Sequence, residues 1–358
     1  MSRKFQRRAL FATQREPSHW RRLFVVMALC IGLFYGTVFL WPVVPSSSPS
    51  QAQFPGPSTY KVKIAPQSSL GSIADQLSAQ GLKTPAIIFQ IAARSIFVGS
   101  KLKPGTYLLP EHASLGKVLL KIARGDRVRE SIAIIPGMSI WQVRALVDKH
   151  PALIHQTQGM NAKQLLESLN LHYPGDEGLF FPDTYIFDPD DTDLSVYKRA
   201  SQAMQKQLSA AWDQRESNSP LKSPYELLIL ASIVEKETGR HSDRSLVAAV
   251  FLNRLNLKMP LQTDPTIIYG IGPNFDGNLR KADLRKDSAY NTYMRKGLPP
   301  TPIAMPSKES LQASVHPAKT DAIYFVAKGD GTSHFSNNLK DHESAVDQYQ
   351  RKRNSAQK

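Results

Sequence analysis

Ser223-Pro-Tyr-Glu-Leu-Leu-Ile-Leu-Ala-Ser-Ile-Val-Glu-Lys-Glu-Thr-Gly239 carries both the start and the stop of a helix. Ser223 is placed to act as N-cap, Pro224 suits the first helical position, and Glu226 completes a Ser-x-x-Glu capping box. Gly239 supplies a C-terminal stop. From Leu227 to Val234 nearly every residue is apolar, so the helix has no polar face and belongs inside the fold. Glu235 and Glu237 occupy its last turn, where burial and the negative end of the helix dipole both raise a carboxyl pKa. A carboxylic acid that keeps its proton near neutral pH is a general acid.

At about 100° per residue, positions i and i+2 leave nearly opposite faces of a helix, so the two glutamates do not share one task. The buried run leads directly into Glu235, which is expected to project into a cleft, with Glu237 pairing with Arg240 or Arg244. The competing reading makes both solvated residues flanking Lys236.

The N-terminus is expected to fix the compartment. Leu23–Val44 carries no charge and is long enough to cross a bilayer. Arg3, Lys4, Arg7, Arg8, Arg15, Arg21 and Arg22 precede it against a single Glu16, which predicts a cytoplasmic N-terminus and an extracytoplasmic remainder. A cleaved signal peptide, with Ser50-Gln-Ala52 as its cleavage site, is the alternative, but the apolar core is too long for one. Gly32 and Gly36 form a GxxxG pair, a weak signature of dimerisation. Cys30 is the one cysteine of the chain, so no intrachain disulfide forms.

The 358 residues carry a formal charge of +15, part of it in the leading tail and the rest scattered without a long basic run. Nucleic acid is therefore not an expected partner. A basic outer surface suits anionic headgroups or an anionic wall polymer. Pro45–Pro57 reads as a Ser/Pro/Gln/Gly spacer. Beyond it, strands over Tyr60–Ile64 and Pro104–Leu109 bracket helices over Leu70–Leu82 and Pro85–Phe97, followed by a helix over Leu115–Ala123.

A larger unit is expected to begin at Glu130–Ile135, with helices over Ile140–Lys149, Asn161–Leu169, Leu194–Asp213 and Arg244–Leu257. Downstream come short loops dense in aromatic and polar residues, then a hairpin over Tyr324–Ala327 and Gly331–Asn337. Rings with polar tips beside amides and hydroxyls suit a sugar; the bland alternative makes the tyrosines core and the proline-rich loops merely rigid. His316, His334 and His342 lack metal-ligand spacing, and neither a Gly-x-Ser-x-Gly elbow nor a P-loop occurs in the outside region, so no metal and no cofactor are expected.

The ordered set ASIVEKET (231–238), VFLNRL (250–255), LQTDPTIIYG (261–270), AYNTY (289–293), GLPPTPIA (297–304), HPA (316–318), YFVA (324–327) and HFSNN (334–338), with KPGTY (103–107) and EGLFFPDTY (177–185), closely resembles the MltG (YceG-like) endolytic murein transglycosylases. The resemblance runs from about residue 59 to about residue 349. It implies an α+β fold with a single N-terminal transmembrane helix, a small LysM-like β-α-α-β domain that contacts glycan, and a larger mixed α/β catalytic domain. The expected divisions are a basic tail over 1–22, the span over 23–44, a linker over 45–58, the LysM-like unit over 59–126, the catalytic domain over 127–350 and a basic tail over 351–358.

The implied activity is cleavage of the MurNAc–GlcNAc bond of nascent peptidoglycan strands at the outer face of the cytoplasmic membrane, leaving 1,6-anhydro ends. The resemblance places the catalytic glutamate on the first Glu of the EKE motif, Glu235. Substrate contacts are expected from Gln262, Thr263, Asp264, Tyr269, Tyr290, Asn291, Thr292, Tyr293 and His334. Glycan strands, the lipid bilayer and penicillin-binding synthases are the expected partners. Two alternatives stay open: a retaining muramidase using Glu235 and Asp264, and a non-catalytic wall-binding scaffold that recruits synthases.

Overall fold

A computed structural model describes residues 19–46, 59–238 and 241–351. The tail before His19, the linker from residue 47 to 58, Gly239 and Arg240, and the tail beyond Arg351 lie outside the described residues. The chain divides into two units, Met1–Arg129 and Glu130–Lys358.

The first unit holds α1 (His19–Leu40), β1 (Thr59–Ile64), α2 (Leu70–Ala79), α3 (Ala86–Ser95), β2 (Gly105–Pro110) and α4 (Leu115–Arg124). Helix α1 is long and apolar enough to cross a membrane. Strands β1 and β2 pair antiparallel, Val62 opposite Tyr107. Alternation puts Val62 and Ile64 on the buried face, where they meet Ile73, Leu77, Phe89 and Leu119. Val43 and Val44, expected as the end of the membrane span, are buried in this same core. Their backbone explains it: both N–H groups donate to the Ala113 carbonyl, and the Val43 carbonyl accepts from Lys83.

The second unit comprises β3 (Glu130–Ala133), α5 (Ile140–Asp148), β4 (Leu153–Ile154), α6 (Ala162–Ser168), β5 (Thr184–Phe187), β6 (Asp191–Thr192), α7 (Asp193–Trp212), α8 (Pro224–Glu237), α9 (Arg244–Asn256), α10 (Asp264–Ile271), α11 (Lys281–Arg285), α12 (Lys308–Val315), β7 (Tyr324–Ala327), β8 (Ser333–Ser336) and α13 (Leu339–Val346). Its strands form three separate pairs, β3–β5 and β7–β8 antiparallel and β4–β6 parallel. The architecture is therefore mixed α and β, with the helices carrying the core.

Helix α8 is the axis of that core. The Ser223 side chain accepts from the Glu226 N–H, with Pro224 in the first turn. Every residue from Leu227 to Val234 is buried, and α7, α9, α10 and α12 pack around the helix. Burying its six large side chains contributes on the order of 10 kcal/mol before conformational entropy is set against it. Within this packing the Ser232 hydroxyl donates to the Ile229 carbonyl and accepts from the Ile303 N–H at 3.0 Å.

Four helices, α10 to α13, arise where loops, or no element, were expected. Helix α10 begins at Asp264-Pro265, whose proline is compatible with a first turn. Helix α12 is capped by Ser307, whose side chain accepts from the Ser310 N–H. Replacing Leu230, which is fully buried, with alanine is expected to cost about 2–5 kcal/mol. Ser223→Ala should cost only about 1 kcal/mol. Chemical denaturation of the two variants checks that order.

Candidate active site

Helix α8 ends with its two glutamates on different neighbours. The Glu235 Oε2 accepts from the Ser307 N–H at 2.9 Å, from the Ser310 hydroxyl at 2.7 Å, and from the Ser307 hydroxyl. Its Oε1 lies 3.7 Å from the Arg244 guanidinium, and both side chains are largely buried. The Glu235 carboxyl group thus sits against the N-terminus of α12, where free N–H groups and the helix dipole favour negative charge. The expected orientation is reversed. Glu235 is clamped, and Arg244, expected beside Glu237, pairs with Glu235 instead.

Glu237 faces α10. It accepts a hydrogen bond from the Thr263 hydroxyl and lines a cleft of about 620 Å³ with Arg254, Gln262, Asp264, Tyr293, Tyr324 and His342. Burial pushes the Glu237 carboxyl above its ordinary value; the Thr263 bond opposes this, and the Asp264 charge adds to it. Asp264 accepts from the Tyr293 hydroxyl at 2.7 Å, and Tyr293 is itself pushed up by burial.

The cleft wall is braced from behind by Arg254, in the last turn of α9. Its guanidinium donates to the carbonyls of Ile323 at 2.6 Å and Leu261 at 2.8 Å and to the Gln262 side chain at 3.3 Å. It also lies 5.1 Å from the Tyr324 ring centroid, and Tyr324 stacks on His342. Burial and the Arg254 charge lower the His342 pKa. Gln262 holds a φ of 50°, a left-handed conformation that is uncommon for a non-glycine residue and is often found at binding sites.

Of the residues expected to touch substrate, Gln262, Asp264 and Tyr293 line the cleft. Thr263 is buried and acts on Glu237. Asn291 is buried, its amide donating to the carbonyls of Asp283, Leu284 and Lys286 while its oxygen accepts from the Tyr293 and Met294 N–H groups. It shapes the loop. Thr292 is buried too, its hydroxyl accepting from the Thr263 N–H and meeting Thr266. Tyr269 stacks on Trp141 and meets Tyr290 edge-on, and the Tyr290 hydroxyl bonds Thr301. Both rings pack on the α8 core. His334 lies in a separate concavity with Asp321, Asn337 and Asp341.

Arg254, Tyr324 and His342 were not expected at the site. A lone arginine within the apolar run LVAAVFLNRL was the available signal for the first; the other two had none.

Asp148, His155 and Asp193 gather closely enough to hold a cation. Asp193, however, already accepts from the N–H groups of Gln156, Thr157 and Leu194 and from the Thr157 hydroxyl. It serves as the anionic first residue of α7, and its oxygens are committed to that.

The family model described as YceG-like matches residues 62–348. The chain belongs to the YceG-like family. A relative named endolytic murein transglycosylase, from Bacillus subtilis, is 32% identical over 336 residues, covering 88% of this chain and 89% of that protein. A Streptococcus pneumoniae protein of the same name is 30% identical over 319 residues, covering 80% of this chain and 57% of its own length. The solved structure of a YceG-like protein from Listeria monocytogenes superposes with a TM-score of 0.51 at 27% identity, covering 80% of this chain and 98% of that one.

Another buried acid lies in the core of the same unit. Glu177, in EGLFFPDTY, is 2% exposed and accepts from the Ile140 N–H at 2.9 Å. Burial raises its pKa to about 7, against the lowering effect of bonds from Ile140, Tyr269 and Gly178. A carboxyl raised in the folded state stabilises fully below its unfolded value and loses that stabilisation as pH climbs through the folded one. The shift from 4.5 to about 7 corresponds to a loss of about 3 kcal/mol over that window. Glu177→Gln should therefore melt with a flatter pH dependence than the parent between pH about 4.5 and about 7, which parallel thermal melts would measure.

Proposed function

We propose that this chain is a membrane-anchored endolytic murein transglycosylase in which Glu237 serves as both acid and base. The observation that carries the assignment of the acid is the cleft itself. Glu237 lines it with a raised pKa, whereas the Glu235 carboxylate is committed to Ser307, Ser310 and Arg244. The activity is supported by the relatives named endolytic murein transglycosylase.

In this reading Glu237 gives its proton to the glycosidic oxygen as the bond from muramyl C1 to that oxygen breaks. The Glu237 carboxylate then accepts the proton of the muramyl 6-hydroxyl, whose oxygen bonds C1. The products are a 1,6-anhydro end and a free 4-hydroxyl, Glu237 is protonated again, and no water is consumed. Asp264, oriented by Tyr293, supplies negative charge to the oxocarbenium-like transition state. Gln262 and Tyr293 offer hydrogen bonds to the sugars. Arg254 holds the cleft wall.

The excess of arginine before α1 supports a cytoplasmic N-terminus, with both units on the outer face. The β1–α2–α3–β2 order supports reading the small unit as LysM-like and in contact with glycan. Synthases of the penicillin-binding type, which make the same strands, are the proposed neighbours.

Asp264 beside Glu237 also favours a second reading, a retaining muramidase, because two carboxyls share one cleft. Mass spectrometry of products from uncrosslinked strands separates the two. Anhydromuramyl ends from the parent chain support the transglycosylase; reducing ends support the hydrolase. Glu237→Gln should slow cleavage by roughly 10²–10⁴-fold. The parent rate should fall as rising pH removes the Glu237 proton. Full activity in Glu237→Gln would refute the assignment.

A further inference from the structure

Helix α1 does not end where the folded unit begins. Val38, Val43 and Val44 belong to the core of the first unit, and Phe34 packs against it. The Tyr35 hydroxyl donates to the Ser95 carbonyl at the end of α3. The Phe39 ring lies so close to Gly116 of α4 that a Cβ there would meet it at 2.4 Å. The last two turns of the apolar helix are thus built into the domain.

That sets a depth. A hydrocarbon core of about 30 Å needs about 20 residues at 1.5 Å each. Counted from Leu23, the first residue after Arg22, such a span reaches Pro42. The part of α1 left bare on all sides beyond the arginines, Leu23–Leu33, measures only about 16 Å. The residues that complete the crossing are those the domain packs against, so the domain surface around them lies at membrane depth.

The surface found there is apolar. Helix α3 buries Phe89, Ala92 and Ala93 and leaves Ile87, Ile88 and Ile91 on its opposite face, 60%, 41% and 46% exposed. Phe97 follows at 84% exposure, in a left-handed conformation with φ 59° that favours glycine over a bulky ring. A groove of about 410 Å³, lined by Thr37, Val38, Trp41, Pro85, Ile88 and Leu115, joins the end of α1 to the start of α3. Exposed Lys83, which lines the groove, and Arg94 of α3 accompany the patch, suited to lipid phosphates at the boundary.

We propose that α3 is a second membrane contact: its outer face, with Phe97, inserts among the acyl chains of the leaflet from which α1 emerges. The proposal rests on the reading of α1 as a membrane span. The occupant is lipid because the patch adjoins the only part of the described chain long and apolar enough to cross a bilayer, at the level where that crossing would otherwise fall short.

The test is spin-label accessibility in the full chain, in a Cys30→Ser background, reconstituted in phosphatidylethanolamine and phosphatidylglycerol vesicles. Labels at Ile87→Cys, Ile91→Cys and Phe97→Cys should be open to oxygen and shielded from a water-soluble nickel chelate. Asp75→Cys, exposed on α2, should show the opposite. Met27→Cys reports the anchor. If Met27→Cys reads lipid while the three α3-side labels read water, the proposal is overturned and the span stands. If Met27→Cys also reads water, the span reading fails and takes the proposal with it.

Discussion

The clamp of Ser307 and Ser310 on the Glu235 carboxylate sets the geometry of the larger unit. Helix α8 is apolar on every side through its buried stretch, so packing alone leaves its rotation weakly specified. A carboxylate tied to the capping serine of α12 fixes that rotation, because a buried charge without its partners is costly. Once Glu235 is locked there, Glu237, about 200° further around the helix, must face α10. There it meets Thr263 and Asp264 at the cleft. One interaction therefore supports the fold and aims Glu237 at the cleft.

The surroundings of Glu237 suit an acid that must recover its proton. Burial disfavours the anion, and the Asp264 charge adds to that, while the Thr263 hydroxyl stabilises the anion when it forms. A base that later removes the sugar hydroxyl proton needs this compromise, neither too weak nor too strongly acidic. Glu177, its pKa raised to about 7 by burial, is bonded instead by the Ile140 N–H and Tyr269. It makes stability, rather than chemistry, sensitive to pH.

Much of this was legible in the residues. The Ser223 N-cap of α8, the β1 alternation and the β7–β8 hairpin follow from local rules, and the ordered motifs point to the YceG-like family. What was not legible is the direction in which α8 faces, since a helix without a polar side gives no phase by which to choose between Glu235 and Glu237. Helix α10 was hidden by the polar LQTDP that spans its start, and α12 by a run of small and charged residues that its Ser307 cap organises. Polar residues near the cleft divide by burial. Asn291 and Thr292 satisfy backbone groups that the winding loop leaves open, a demand visible only in three dimensions.

On the proposed reading, the two glutamates divide into a clamp and an acid. The most direct measurement compares Glu235→Gln with Glu237→Gln in the full chain, reading melting temperature and glycan cleavage on the same samples. Glu235→Gln is expected to lower the melting temperature while its folded fraction still cleaves. Glu237→Gln should melt at or above the parent temperature and not cleave. A stable, inactive Glu235→Gln beside an active Glu237→Gln would contradict that reading.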